Sequence, residues 1–246
     1  MVRLFIFAFI CTLSVHVSAQ QQCNAELLKA EYKITQLNKH SNEPSEQSKH
    51  LVLVRMPGMV AQQHRELNIT EIWEHSKANK IKPYRMFDAY QRAIEYQPGE
   101  SVHGRVERDW SYRNQLISDR LLSHMQVVQE VSEGCERVQY MQAQHGDTQI
   151  NIEWIPEQKL LRKLEKTSAN SVETWELVNH ANDLGEIKAF FDIRMNYHST
   201  DFADIGDDHT DPFLLNMVNL GFIEAGASGF YDDRGNAIAG QHSHTH

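Results

Sequence analysis

The segment Thr148-Gln149-Ile150-Asn151-Ile152-Glu153-Trp154-Ile155 alternates apolar and polar side chains almost without a break. A period of two is strand geometry, because successive side chains point to opposite faces of a pleated sheet. The same texture recurs along the chain in pieces bounded by turn residues. Leu51-Val52-Leu53-Val54 is a β-branched apolar run that ends at Pro57-Gly58. Ile72 and Trp73 lie in the next piece, 69–75, and Ala78-Asn79 connects it to 81–87. Ile94 and Tyr96 share a face in 92–96, and Val138 and Tyr140 share one in 137–143. His145-Gly146-Asp147 turns the chain into 148–155, residues 156–159 turn it into 160–165, and 168–170 turn it into 171–178. Roughly eight short strands, spaced by about ten residues, predict an antiparallel sheet. The alternation predicts one apolar face and one wet face.

Three segments read as helices. In 24–33, Leu27, Leu28 and Tyr32 fall at helical spacing behind Asn24 as N-cap. In 113–125, Leu116, Ile117, Leu121 and Leu122 lie about one turn apart. Asp211-Pro212 opens a third, with Asp as cap and Pro at the first position, and Gly221 suits its end. Residues 41–48, with Pro44, and 100–109 read as loops. The 246 residues, 41% hydrophobic and 23% charged, are those of an ordinary globular chain. The expected fold class is α+β: a curved antiparallel β-sheet (open half-barrel) with two or three helices packed on its concave face. The expected division is 1–19 as a signal peptide, 20–222 as a single half-barrel-like domain and 223–246 as a flexible Gly/His tail.

Arg3, the apolar run 4–15 and Val17-Ser18-Ala19 have the order of a secretory signal peptide with small residues at its cleavage site. The run is too short to span a membrane, and no later run is long enough. A periplasmic or secreted location follows, with no stable membrane span after cleavage. The formal charge of −9 argues against a nucleic-acid partner. Of three cysteines, Cys11 leaves with the signal. Cys23 and Cys135 remain, and in an oxidising compartment they are expected to form a disulfide; two separate buried thiols are the alternative.

The stretch 148–178 reads strand, Trp154-Ile155-Pro156-Glu157-Gln158-Lys159-Leu160-Leu161-Arg162-Lys163, strand, turn, strand. It resembles the hairpins of periplasmic outer-membrane lipoprotein-sorting proteins (LolA/LolB-like), which have an unclosed half-barrel over helices behind a signal peptide. The resemblance covers residues 24–180. It implies the half-barrel fold and a carrier function, and it transfers no ligand-contacting residue. The segment after Asn182 departs from the family.

No G-x-S-x-G, H-E-x-x-H, phosphate-binding Gly-rich loop or G-x-G-x-x-G is present. Gly226-Ala227-Ser228-Gly229 reads as a turn, and isolated histidines such as His64, His75 and His124 as surface or core residues. Two clusters carry donor atoms. One spans 201–211, where Asp201, Asp204, Asp207, Asp208 and Asp211 supply five carboxylates around His209. They could hold a hard cation; equally, Asp211 caps a helix and the rest form a solvated loop. The other is the terminus, where His242, His244 and His246 share one side of an extended chain and suit zinc or copper.

These features lead to a non-enzymatic periplasmic carrier or accessory protein for an apolar ligand or a partner polypeptide, with a metal-binding C-terminal His tail. The alternative is a metal-dependent hydrolase using the cluster from Asp201 to Asp211.

Overall fold

The computed structural model describes residues 25–39, 45–76, 78–102, 105–133, 136–205 and 211–219. One twelve-stranded sheet dominates them. Its central strands are β1 (Leu28–Asn38), β2 (Ser45–Met56), β3 (Met59–His64), β4 (Ile69–His75), β5 (Ile81–Phe87) and β6 (Arg92–Glu95). A small ribbon, β7 (Ser101–Val102) with β8 (Arg105–Val106), precedes helices α1 (Trp110–Gln115) and α2 (Asp119–His124). The sheet resumes with β9 (Gln126–Glu133), β10 (Glu136–His145), β11 (Thr148–Ile155), β12 (Leu160–Thr167) and β13 (Ser171–Ala181). Helix α3 (Leu184–Met195), strand β14 (His198–Asp201) and helix α4 (Pro212–Asn219) follow. The spatial order is β14-β6-β5-β4-β3-β2-β1-β13-β12-β11-β10-β9. Each pair is antiparallel except β14 on β6, which is parallel.

The sheet is curved and unclosed. Tyr32 on β1 donates its hydroxyl to the Leu161 carbonyl on β12 at 2.8 Å. Arg55 on β2 donates to the Lys159 carbonyl in the β11–β12 turn at 2.9 Å. Two intervening strands, β1 and β13, put β2 and β12 about 14 Å apart on a flat sheet. That is farther than an arginine spans, so the face carrying Tyr32 and Arg55 is concave.

The concave core joins Leu51, Leu53, Val60, Trp73 and Ile81 to Ile150, Ile152, Trp154 and Leu161, with Leu116 and Ile117 from the α1–α2 link. Helix α4 covers the same side nearer β6. Its Leu214 and Met217 meet Ile69, Phe87 and Ile94. Three helices on the concave side agree with the expectation. The fourth does not: α3 lies on the convex face, where Ile187 and Phe191 pack on Val52, Val54, Ile72 and Met86. Leu51 and Leu53 therefore face one core while Val52 and Val54 face the other, which is why the whole run is buried. A central strand covered on both faces reads as a continuous apolar run.

Three other expectations are corrected, and some elements had none. The helix expected over 24–33 is strand from Leu28 onward: Leu28, Ala30 and Tyr32 are buried at a period of two within β1. Segment 113–125 is not one helix but the end of α1 and all of α2. Leu116 takes φ 66° and ends α1, and Ser118 caps α2 by accepting from the Leu121 N–H. Residues 45–48, read as loop, begin β2, and 126–133, left unassigned, form β9. Helix α3 was also unassigned; Asp183 caps it through the Glu186 N–H at 2.7 Å. The signal segment 1–19 and the tail 223–246 lie outside the described residues.

Candidate binding site

The concave face is apolar across most of the sheet, and over its middle it is roofed by two helices of six residues each. Helices this short have no stability of their own in water. They persist because their ends are capped and their apolar side chains are docked. Asp109 accepts from the Tyr112 N–H at 3.0 Å, and Ser118 from the Leu121 N–H at 3.1 Å. Leu116, Ile117 and Met125 are buried, and Trp110, Leu121 and Leu122 pack against the same core. Trp110 stacks on His75 with centroids 4.8 Å apart. The Arg113 guanidinium lies 4.3 Å over the Trp73 ring and pairs with Glu107 at 2.6 Å.

Two buried polar side chains of the sheet fasten this roof. Gln62 donates to the Arg113 carbonyl at 2.9 Å. Arg55, 1% exposed, donates to the Asn114 carbonyl at 2.9 Å, to Lys159 at 2.9 Å and to the Gln158 carbonyl. One cation thus ties β2, the end of α1 and the β11–β12 turn together. Its partners are neutral carbonyls, and its Nε has no hydrogen-bond partner among the described residues. Burial lowers its pKa to about 10, against a small opposing effect of Tyr32, so it stays charged at neutral pH. The Tyr32 hydroxyl is pushed well above its ordinary value by burial.

Beyond the roof, towards β6, the concave face carries a polar strip. Glu71 and Arg85 face each other across β4 and β5 and pair at 3.0 Å, with little of either side chain exposed. His64 lies beside them on β3. Burial lowers its pKa to about 4, while Glu71 and Glu66 pull it back up and Lys49 and Arg85 push it further down. Its imidazole is therefore neutral at pH 7. The strip sets charges between two apolar clusters.

Two shallow clefts open elsewhere on the sheet. One, of about 280 Å³, is lined by Val128, Tyr140, Gln142, Asn151, Glu153 and Lys163 among others. The second, of about 320 Å³, is lined by Glu31, Lys33, His50, Arg65 and Val178 among others. Both are near the lower end of ligand-pocket volumes and carry several charges.

Of the residues singled out from sequence, Asp201 accepts from the Ala203 N–H at 3.0 Å at the start of a single 3-10 turn, Phe202–Asp204. Asp204 is exposed at the end of that turn. Asp211 accepts from the Phe213 N–H at 2.8 Å and pairs with Arg92 at 2.5 Å. The Arg92 bond holds its carboxyl below the usual range. Asp211 is therefore a cap, as its structural reading had it, and Asp201, expected in a solvated loop, caps the 3-10 turn. Asp207, Asp208, His209, His242, His244, His246, Cys23 and Cys135 lie outside the described residues. Among the described residues no three His, Cys, Asp or Glu side chains are placed to hold a metal. Arg55 and Gln62 were not singled out from sequence. The only signal for them was a polar residue at the concave parity of an apolar strand.

No family model matches the chain, and no curated protein matches it. Its sheet is similar to that of several solved structures. PNGF-II in a C2 crystal form matches at 10% identity and TM-score 0.36 over 70% of this chain, which spans about a third (31%) of that one. A putative outer membrane lipoprotein-sorting protein domain from Vibrio parahaemolyticus matches at 7% identity and TM-score 0.30, covering 70% of this chain and 92% of that one. MucB in the MucA/MucB complex of Pseudomonas aeruginosa matches at 9% identity and TM-score 0.32, covering 66% of this chain and 56% of that one. Among the described residues no helix is long and apolar enough to cross a membrane.

Proposed function

We propose that this is a secreted, non-enzymatic carrier or accessory protein of the cell envelope. Its concave sheet face takes up an apolar ligand in place of the α1–α2 roof. The observation that carries this reading is the mismatch between the face and its cover. An apolar surface contributed by β1–β5 and β10–β12 is closed over its middle by two helices of six residues, held by hydrogen bonds from Arg55 and Gln62 to main-chain carbonyls. Helices this short owe their stability to that docking, so a ligand that buries the same surface can compete with them. The two open clefts are too small and too charged to serve an acyl chain. An apolar segment of a partner polypeptide is the other occupant of the same chemistry. The imidazoles of His242, His244 and His246 add a site for zinc or copper to this reading.

The test is displacement of a fluorescent fatty acid from the mature protein. Saturable binding, competed by unlabelled long-chain fatty acid, supports an apolar-ligand carrier. No binding of any acyl probe, with the roof still docked, defeats it.

A further inference from the structure

We propose that two copies of this chain pair antiparallel through β9, with Val131 at the two-fold axis. Strand β9 is the last in the sheet order, so its outer N–H and C=O groups have no strand beside them among the described residues. Edges of this kind are normally guarded by charge, proline or cover. Here Val127, Val128 and Val131 are 44%, 53% and 45% exposed.

The occupant follows from register and charge. Val128 is an extra residue in the β9–β10 pairing, since Val127 pairs with Met141 and Gln129 with Tyr140. The regular part of the edge is therefore 129–133. A two-fold antiparallel pairing sets residue i against its own copy at the centre, because opposed residues must share a face. Centring on Glu130 puts two carboxylates face to face, which is repulsive. Centring on Ser132 sets Val131 against Glu133. Centring on Val131 sets Gln129 against Glu133 and Glu130 against Ser132, so no like charges meet. It also prolongs an existing row. Val131 already pairs with Val138, 4% exposed, and the dimer would carry four valines in line across the joint. A second copy thus matches the edge in apolar character and in charge, which no arbitrary peptide would do.

Five paired residues form a ledge of about 17 Å. That is well short of a standard interface of about 1,600 Å², so the dimer is weak and concentration-dependent. Sedimentation velocity on the full mature protein, from the micromolar range upward over about two decades of concentration, reads it directly. The wild-type protein is expected to pass from monomer to dimer across that range. Val131→Lys sets two ammonium groups at the axis and is expected to weaken association at least about tenfold. Val131→Ile is expected to retain it. Val178→Lys, at a still more exposed valine on β13, should leave it unchanged, and equal melting temperatures show that all variants fold. A wild-type protein that stays monomeric throughout overturns the proposal and leaves the edge to a different partner. So does a Val131→Lys dimer as strong as wild type.

Discussion

Acid should unfold this protein through His64, by an amount the structure sets. The imidazole is held on β3 beside the Glu71–Arg85 pair, where burial lowers its pKa from 6.5 to about 4. In the unfolded chain it titrates at the free value of about 6.5. Below pH 6.5 the unfolded chain takes up a proton that the folded chain refuses until about pH 4, so stability falls with acid. The interval, at about 1.36 kcal/mol per pH unit, is worth about 3 kcal/mol, of which about 2.5 kcal/mol is lost by pH 4.5. The other histidines and the carboxylates add their own slope, so the measurement is a comparison. Urea midpoints of wild type and His64→Gln are taken between pH 7.5 and 4.5. The variant starts from its own stability, and only the change with pH counts. Wild type should lose about 2 to 3 kcal/mol more than the variant over that span. Equal losses would show that His64 is protonated in the folded protein and that its surroundings are wetter than the geometry shows.

Two shorter predictions concern the fastening and the tail. Arg55→Met removes three hydrogen bonds from a cation to carbonyls, worth about 1.5 to 3 kcal/mol each, and recovers several kcal/mol of desolvation; a net loss of about 2 to 4 kcal/mol, read as a fall in Tm of roughly 5 to 15 °C, is expected. His242, His244 and His246 should bind zinc more weakly as pH falls through about 6.5, and calorimetric titration should lose that event in a protein ending at Gly240, with no change in metal-free Tm.

What could be read in the sequence divides along a physical line. Strands with one wet face were legible: 148–155 was delimited to the residue, because Ile150, Ile152 and Trp154 face the core and Asn151 and Glu153 do not. Strand β1 was misread because its visible signal, Leu27-Leu28 and Tyr32, fits a helix as well as a strand; the pairing of Tyr32 with Leu51 on β2 decides it. Strand β9 has no buried side chain to mark it from Gln126 to Ser132, all of which are exposed. Helix α3 buries only Ile187 and Phe191 fully, one turn apart, and scatters Leu184, Ile193 and Met195 outward, so no apolar stripe announces it. In the acidic cluster the capping role of Asp211 was legible, and its carboxylate accepts from the Phe213 N–H; Asp207, Asp208 and His209 lie outside the described residues. Arg55 was invisible as a functional residue for a different reason. An arginine inside Leu51-Val52-Leu53-Val54-Arg55-Met56 looks like the polar end of a strand, and only three-dimensional closure shows that it points inward at three carbonyls.

The roof also sets how long an apolar ligand must be. To occupy the concave face, a ligand has to replace the burial of Leu116, Ile117 and Met125, the three α1–α2 side chains within the core. Burying each is worth about 1.5 to 3 kcal/mol, so the three together contribute about 5 to 9 kcal/mol. Releasing sixteen or so residues of roof recovers chain entropy, while the packing of Trp110, Leu121 and Leu122 and the hydrogen bonds from Arg55 and Gln62 are lost with it, so the two corrections act in opposite directions around that figure. At about 0.8 kcal/mol per buried methylene, the requirement is about six to eleven methylenes. Displacement of a fluorescent fatty acid should therefore be negligible for competitors with fewer than about six methylenes and rise steeply beyond about eleven, where burial of the ligand exceeds that requirement. Trp110 should leave its stack on His75 as the ligand enters, and the amides of 110–124 should exchange faster in the complex than in the free protein. The two readouts are independent. Competitors of all lengths binding alike would mean that the ligand sits in a surface cleft and not on the concave face. Unchanged exchange at 110–124 under saturating long-chain ligand would mean that the roof stays closed, and that these helices are core after all.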